Sequence, residues 1–114
     1  MNIEKLRKLC LSLPNATEDI KWGGNDLCFC IAKKMFCETG LSGNFKVSLK
    51  VSDEEFAELS ISTGIMPAPY IGRYKWILIE NDSRFSEREW EHYIRQSYEL
   101  VKANLPKKVV ETLK

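Results

Sequence analysis

Lys33 and Lys34 are adjacent, Lys46 and Lys50 are four apart, and Arg73 and Lys75 bracket Tyr74, with Trp76 next. Cationic side chains beside aromatic ones suit a polyanion. Ammonium and guanidinium groups neutralise phosphates, and aromatic faces stack on bases. Lys33 and Lys34 fall where a hairpin tip is expected. Lys46 and Lys50 fall on the polar side of an alternating segment. The same pattern is how a half-exposed strand solvates its outer side and protects its edges. Seventeen Lys and Arg stand against sixteen Asp and Glu, a net charge of +1. Polyanion binding therefore requires these cations to be gathered on one side of the molecule, and its strength must be modest.

A second group of residues suits a protein or peptide partner. Trp22, Tyr70 and Tyr74, with the proline-bearing run Ile65–Tyr70, would make an apolar docking surface. Other chemistry has little to build on. His92 is the only histidine, and the helical pattern puts it among Arg88, Arg95 and Glu99 on a solvated side. No nucleophile, base and oxyanion donor are set out together, so no enzyme is expected. The acidic runs Asp53-Glu54-Glu55 and Glu87–Glu91 open helices, where the helix dipole favours them. Gly23-Gly24 and Gly40-x-x-Gly43 lack the Lys-Ser/Thr ending of a phosphate loop.

Four cysteines stand at 10, 28, 30 and 37. A two-residue hairpin loop at Ala32-Lys33 sets Cys37 opposite Cys28, and one at Lys33-Lys34 sets it opposite Cys30. Either way three thiols share one side of the hairpin. Cys28 and Cys30 lie about 6.6 Å apart along a strand, too far for an easy disulfide. No four-ligand spacing is present, so neither metal nor cofactor is expected. The thiols are read as small buried hydrophobes in the reduced state.

The elements that must position these residues follow from periodicity. Ile3, Leu6, Leu9, Cys10 and Leu13 mark an amphipathic helix over 2–13, ended by Pro14-Asn15. Thr17–Asp26 reads as a polar connection. Leu27–Ala32 and Met35–Thr39 read as a hairpin. Phe45, Val47, Leu49 and Val51 alternate with Lys46, Ser48 and Lys50, the pattern of a half-buried strand with its lysines exposed. Ser52 and Glu55 form a capping box opening a short helix over about 53–61. Pro67 and Pro69 restrict Gly64–Tyr70 to a loop or edge strand. Tyr74–Glu80 reads as the next strand. Ser86 and Glu89 cap a long helix running to about Asn104, and Pro106 opens a last short helix.

These elements predict an α+β two-layer sandwich, an antiparallel sheet with helices on one face, as one domain over residues 1–114. Hydrophobic residues at 44% and charged residues at 29% exclude disordered and low-complexity classes. No apolar run is long enough to span a bilayer, and Met1–Leu13 lacks the pattern of a signal peptide. A cytoplasmic monomer without membrane association is the expectation.

Several segments together resemble the MmcQ/YjbR family of small bacterial proteins. They are Trp22-Gly23, Lys34-Met35-Phe36 and Val47–Val51. More specific are Pro67-Ala68-Pro69-Tyr70-Ile71-Gly72-Arg73-Tyr74-Lys75-Trp76-Ile77, Ser97–Val101 and Leu105-Pro106-Lys107-Lys108. The resemblance covers essentially the whole chain. It implies the order α-β(3)-α-β(2)-α, comparable with CyaY/frataxin and secretion-chaperone sandwiches. It also implies DNA binding through a double-wing motif, and it brings no catalytic residues. On that reading Lys33-Lys34 and the Arg73–Lys75 region form the wings, and Lys46 and Lys50 add contacts from the sheet. The alternative is a chaperone-like adaptor that binds a protein or peptide through Trp22, Tyr70 and Tyr74. Cys28 and Cys30 depart from the family pattern.

Overall fold

The structure is a computed structural model that describes residues 1–21 and 23–113. The expectation at Trp22 lies outside the described residues. In chain order the elements are α1 (Ile3–Leu11), β1 (Ala16–Lys21), β2 (Asp26–Ile31), β3 (Lys34–Gly40), β4 (Val47–Lys50), α2 (Asp53–Leu59), β5 (Ile65–Pro67), β6 (Trp76–Ile79), α3 (Glu87–Ala103) and α4 (Lys107–Thr112). Among the described residues six strands form one sheet in the order β1-β2-β3-β4-β6-β5, and every neighbouring pair is antiparallel. The helices cover one side, as the α+β sandwich requires.

Alternation along the strands decides what the helices bury. Leu27, Phe29 and Ile31 of β2, Val47 and Leu49 of β4, and Ile77 and Ile79 of β6 join Leu6, Cys10, Trp90, Ile94 and Tyr98 in a single core. Phe36 meets Tyr98 edge-on at 5.4 Å between ring centroids. The Tyr98 hydroxyl donates to the Pro14 carbonyl at 2.6 Å, tying α3 to the end of α1. Both capping boxes form as the sequence predicts, Ser52 with Glu55 and Ser86 with Glu89.

The structure adds a strand where a polar connection is expected. β1 pairs with β2 from Ala16↔Ile31 to Lys21↔Asp26. It lies at the sheet margin with its four central residues exposed, so nothing imposes hydrophobic alternation on it. Charge on an edge strand discourages pairing with another chain. Glu18 also anchors it to α1, accepting from Arg7 at 2.6 Å.

The β2–β3 hairpin corrects the cysteine geometry. Ala32 and Lys33 both adopt left-handed angles, φ 49° and 67°, and make the two-residue turn. The register then shifts between Phe29 and Cys30, where Phe36 is the extra residue of a bulge. Cys37 consequently pairs with Phe29 and turns under the helices, into the core that also holds Cys10. Cys28 and Cys30 stay on the opposite side, so the three thiols do not share a face.

Ser97 repairs the hydrogen bonding that the bulge disturbs. Pairing of β3 with β4 runs from Thr39↔Val47 to Cys37↔Leu49, and the next step would join Phe36 to Lys50. There the fully buried Ser97 hydroxyl enters from α3. It donates to the Phe36 carbonyl at 2.5 Å and accepts from the Lys50 N–H at 2.9 Å.

Candidate nucleic-acid interface

The registers place four of the six singled-out cations, Lys33, Lys34, Lys50 and Lys75, at one end of the sheet. Lys33 and Lys34 occupy the exposed tip of the β2–β3 hairpin. The antiparallel ladder puts that tip at the same end as Lys50, the last residue of β4, and Trp76, the first of β6. Lys75 precedes Trp76, and its carbonyl accepts from the Val51 N–H at 2.9 Å. Arg73 lies two residues earlier. Lys46 precedes β4 at the opposite end, beside the Ser42–Asn44 loop, so it does not join the group.

Several positions differ from the sequence reading. Arg73 and Tyr74 belong to a 3-10 turn over Gly72–Tyr74, and Lys75 follows in a left-handed conformation, φ 67°. They extend from a turn rather than a strand. Gly72 permits the close packing of that turn, because a Cβ there would come 3.1 Å from the Pro67 Cβ. Lys50 is half-buried rather than exposed, and its Nζ donates to the Tyr74 carbonyl. Burial lowers its pKa, with Asp53 opposing and Lys75 reinforcing that shift. Lys46 is exposed while Val47, Leu49 and Val51 are buried, as the alternation predicts; Phe45 is only half-buried.

Aromatic side chains accompany the cations. The Arg73 guanidinium lies 4.8 Å from the Tyr74 ring centroid, and the Lys75 Nζ lies 5.1 Å from that of Phe56. Tyr74 is 53% exposed and Tyr70 is 99% exposed, so both rings offer surface to a partner. The acidic first turn of α2 follows Val51 and Ser52 and so adjoins the cations. Asp53 is near enough to Lys50 to oppose the lowering of its pKa by burial.

The helix-free side of the sheet is only partly open. The chain from Ala68 to Ile71 leans over it and roofs a half-open cavity of about 600 Å³. Met35, Ser48 and Leu78 also line it, and Asp26 and Glu38 lie toward the β2–β3 side. Glu38 is half-buried, with the Asp26 carboxyl as its neighbour. Burial, then that carboxyl neighbour, pushes its pKa up to about 7. Strand register, not sequence proximity, brings this pair together. Its signal was an acidic residue inside the otherwise apolar segment Met35–Thr39. Cys28 is also buried on this side, and burial pushes its thiol up to about 12. Among the described residues no group of three or more His, Cys, Asp or Glu is placed to hold a metal ion. No helix there is long and apolar enough to cross a membrane.

No curated protein matches the chain. Its fold recurs in solved structures. A Deinococcus radiodurans protein, DR2400, with a domain of the DUF419 family model, superposes with a TM-score of 0.87 at 23% identity, covering 96% of this chain and 86% of its own. A Pseudomonas syringae protein gives a TM-score of 0.73 at 20% identity, covering 89% of this chain and 99% of its own. The family model described as YjbR matches residues 11–100.

Proposed function

The chain belongs to the YjbR family, and from the arrangement of its cations we propose that it binds the phosphodiester backbone of nucleic acid. The observation that carries this reading is the convergence of Lys33, Lys34, Arg73 and Lys75 at one end of the sheet. The hairpin tip and the Gly72–Tyr74 turn form the two projections of a double wing. Lys50 supports the second projection through the Tyr74 carbonyl. The contacts are electrostatic and read little sequence, because phosphates carry no base code. The acidic turn of α2 and the net charge of +1 keep the affinity modest.

A fluorescence-anisotropy titration of a labelled duplex at several salt concentrations tests the reading. Neutralising about four phosphates gives a log–log slope of about −3.6. Absence of duplex binding at low salt would sink it. A second reading, docking of a protein or peptide, draws support from the nearly complete exposure of Tyr70 beside the half-exposed Tyr74. It takes the lead if duplex binding is absent.

A further inference from the structure

The cavity beneath Ala68–Ile71 has a chemistry opposite to that of the basic end. At about 600 Å³ it falls in the range of small-molecule sites. Strand order gives it two unlike sides. Ala68, Ile71 and Leu78 make an apolar wall toward β5 and β6, and Asp26 and Glu38 bring two carboxyls from β2 and β3. Asp26 pairs with Gly40 and Glu38 with Cys28, so the carboxyls are diagonal neighbours on the same side of the ladder. Among the described residues neither carboxyl has an ion-pair partner within 4.0 Å.

We propose that this cavity binds a small organic cation, a primary amine or guanidine carried on an apolar body. Two adjacent half-buried carboxyls cannot both ionise cheaply, so Glu38 keeps its proton to higher pH than an ordinary carboxyl does. A ligand ammonium would substitute for that proton, with Asp26 and Glu38 both ionised around it. The ligand's apolar body would lie against Ala68, Ile71 and Leu78. A phosphate-bearing ligand is repelled by the same two groups. This site is therefore independent of the basic end and does not rest on nucleic-acid binding.

The binding depends on pH. The other titratable groups around Glu38 are Asp26 and Cys28 of β2, Asp19 and Lys21 of β1, Lys46 before β4, and Tyr70 of the covering segment. Glu38 has its pKa near 7. Its proton must leave for the cation to enter, so affinity for the cation rises as pH rises through neutrality.

Methyl and amide NMR titrations of the intact protein with 4-phenylbutylamine and its neutral analogue 4-phenylbutan-1-ol provide the test. At pH 8 the amine should shift Met35, Ala68, Ile71 and Leu78 saturably, with an affinity at least about tenfold above that of the alcohol. At pH 6 that advantage should shrink several-fold. Glu38→Gln should abolish both the advantage and its pH dependence while the spectrum stays dispersed. The proposal is overturned if the alcohol binds as tightly as the amine in the wild-type protein, or if the amine shifts no residue of the cavity saturably. A Glu38→Gln protein that keeps the pH-dependent preference overturns it equally.

Discussion

Glu38 is the carboxyl whose ionisation the fold most clearly resists. Its carboxyl has a pKa of about 7 in the folded chain against an ordinary value of 4.5. The folded state thus binds a proton that the unfolded state has lost over that interval. Its contribution to stability is fully present below about 4.5 and is lost as pH rises through about 7. Solvent screening at a half-buried group leaves this contribution on the order of 1 kcal/mol. Urea unfolding of wild type and Glu38→Gln at pH 4.5 and pH 8 should show a smaller pH-dependent decline in the variant. Equal declines would contradict the assignment. The cysteines give a second measurement at this scale. All four are buried free thiols, and burial raises the pKa of Cys28, Cys30 and Cys37. Since the thiolate is the reactive form, a disulfide reagent such as DTNB should react slowly with the native protein. In denaturant it should titrate four thiols promptly. Rapid reaction of two or more in the native state would contradict the burial.

The sheet depends on elements that differ in how openly they declare themselves. The helix starts and β4 were legible because each carries its own signal. Ser52–Glu55 and Ser86–Glu89 write their caps into the chain, and Val47, Leu49 and Val51 alternate because one side is buried. β1 was not legible, because a margin strand with exposed charged residues owes its conformation to pairing with β2. The bulge at Phe36 was also hidden, since an extra residue in a strand has no composition of its own. Its repair by Ser97 spans 61 residues of sequence. Ser97→Ala removes the hydroxyl and leaves the Phe36 carbonyl and the Lys50 N–H without that partner. Loss of a buried hydrogen-bond partner costs about 1–3 kcal/mol. Chemical denaturation should show that loss, with the largest NMR shifts at Phe36 and Lys50. A variant as stable as wild type would contradict the bridging role.

At the scale of the whole molecule, the sandwich gives the two sides of the sheet different work. One side carries the core. The other carries the cavity, and one end of the sheet carries the cations. The sequence identified the six candidate cations, but their grouping depends on strand register. Lys46 and Lys50 are four residues apart on one segment, yet antiparallel pairing brings Lys50 to the hairpin tip and leaves Lys46 at the other end. The change from strand to turn around Arg73 was concealed by the apolar run that follows it. The measurement that tests the central claim most directly is duplex binding against salt for three proteins: wild type, Lys46→Ala, and the combined Lys33→Ala, Lys34→Ala, Arg73→Ala, Lys75→Ala variant. Wild type and Lys46→Ala should share a log–log slope of about −3.6, and the fourfold variant should show a much flatter slope with affinity reduced alike across sequences. A fourfold variant that keeps the wild-type slope, or a wild type that does not bind duplex at low salt, would contradict the account.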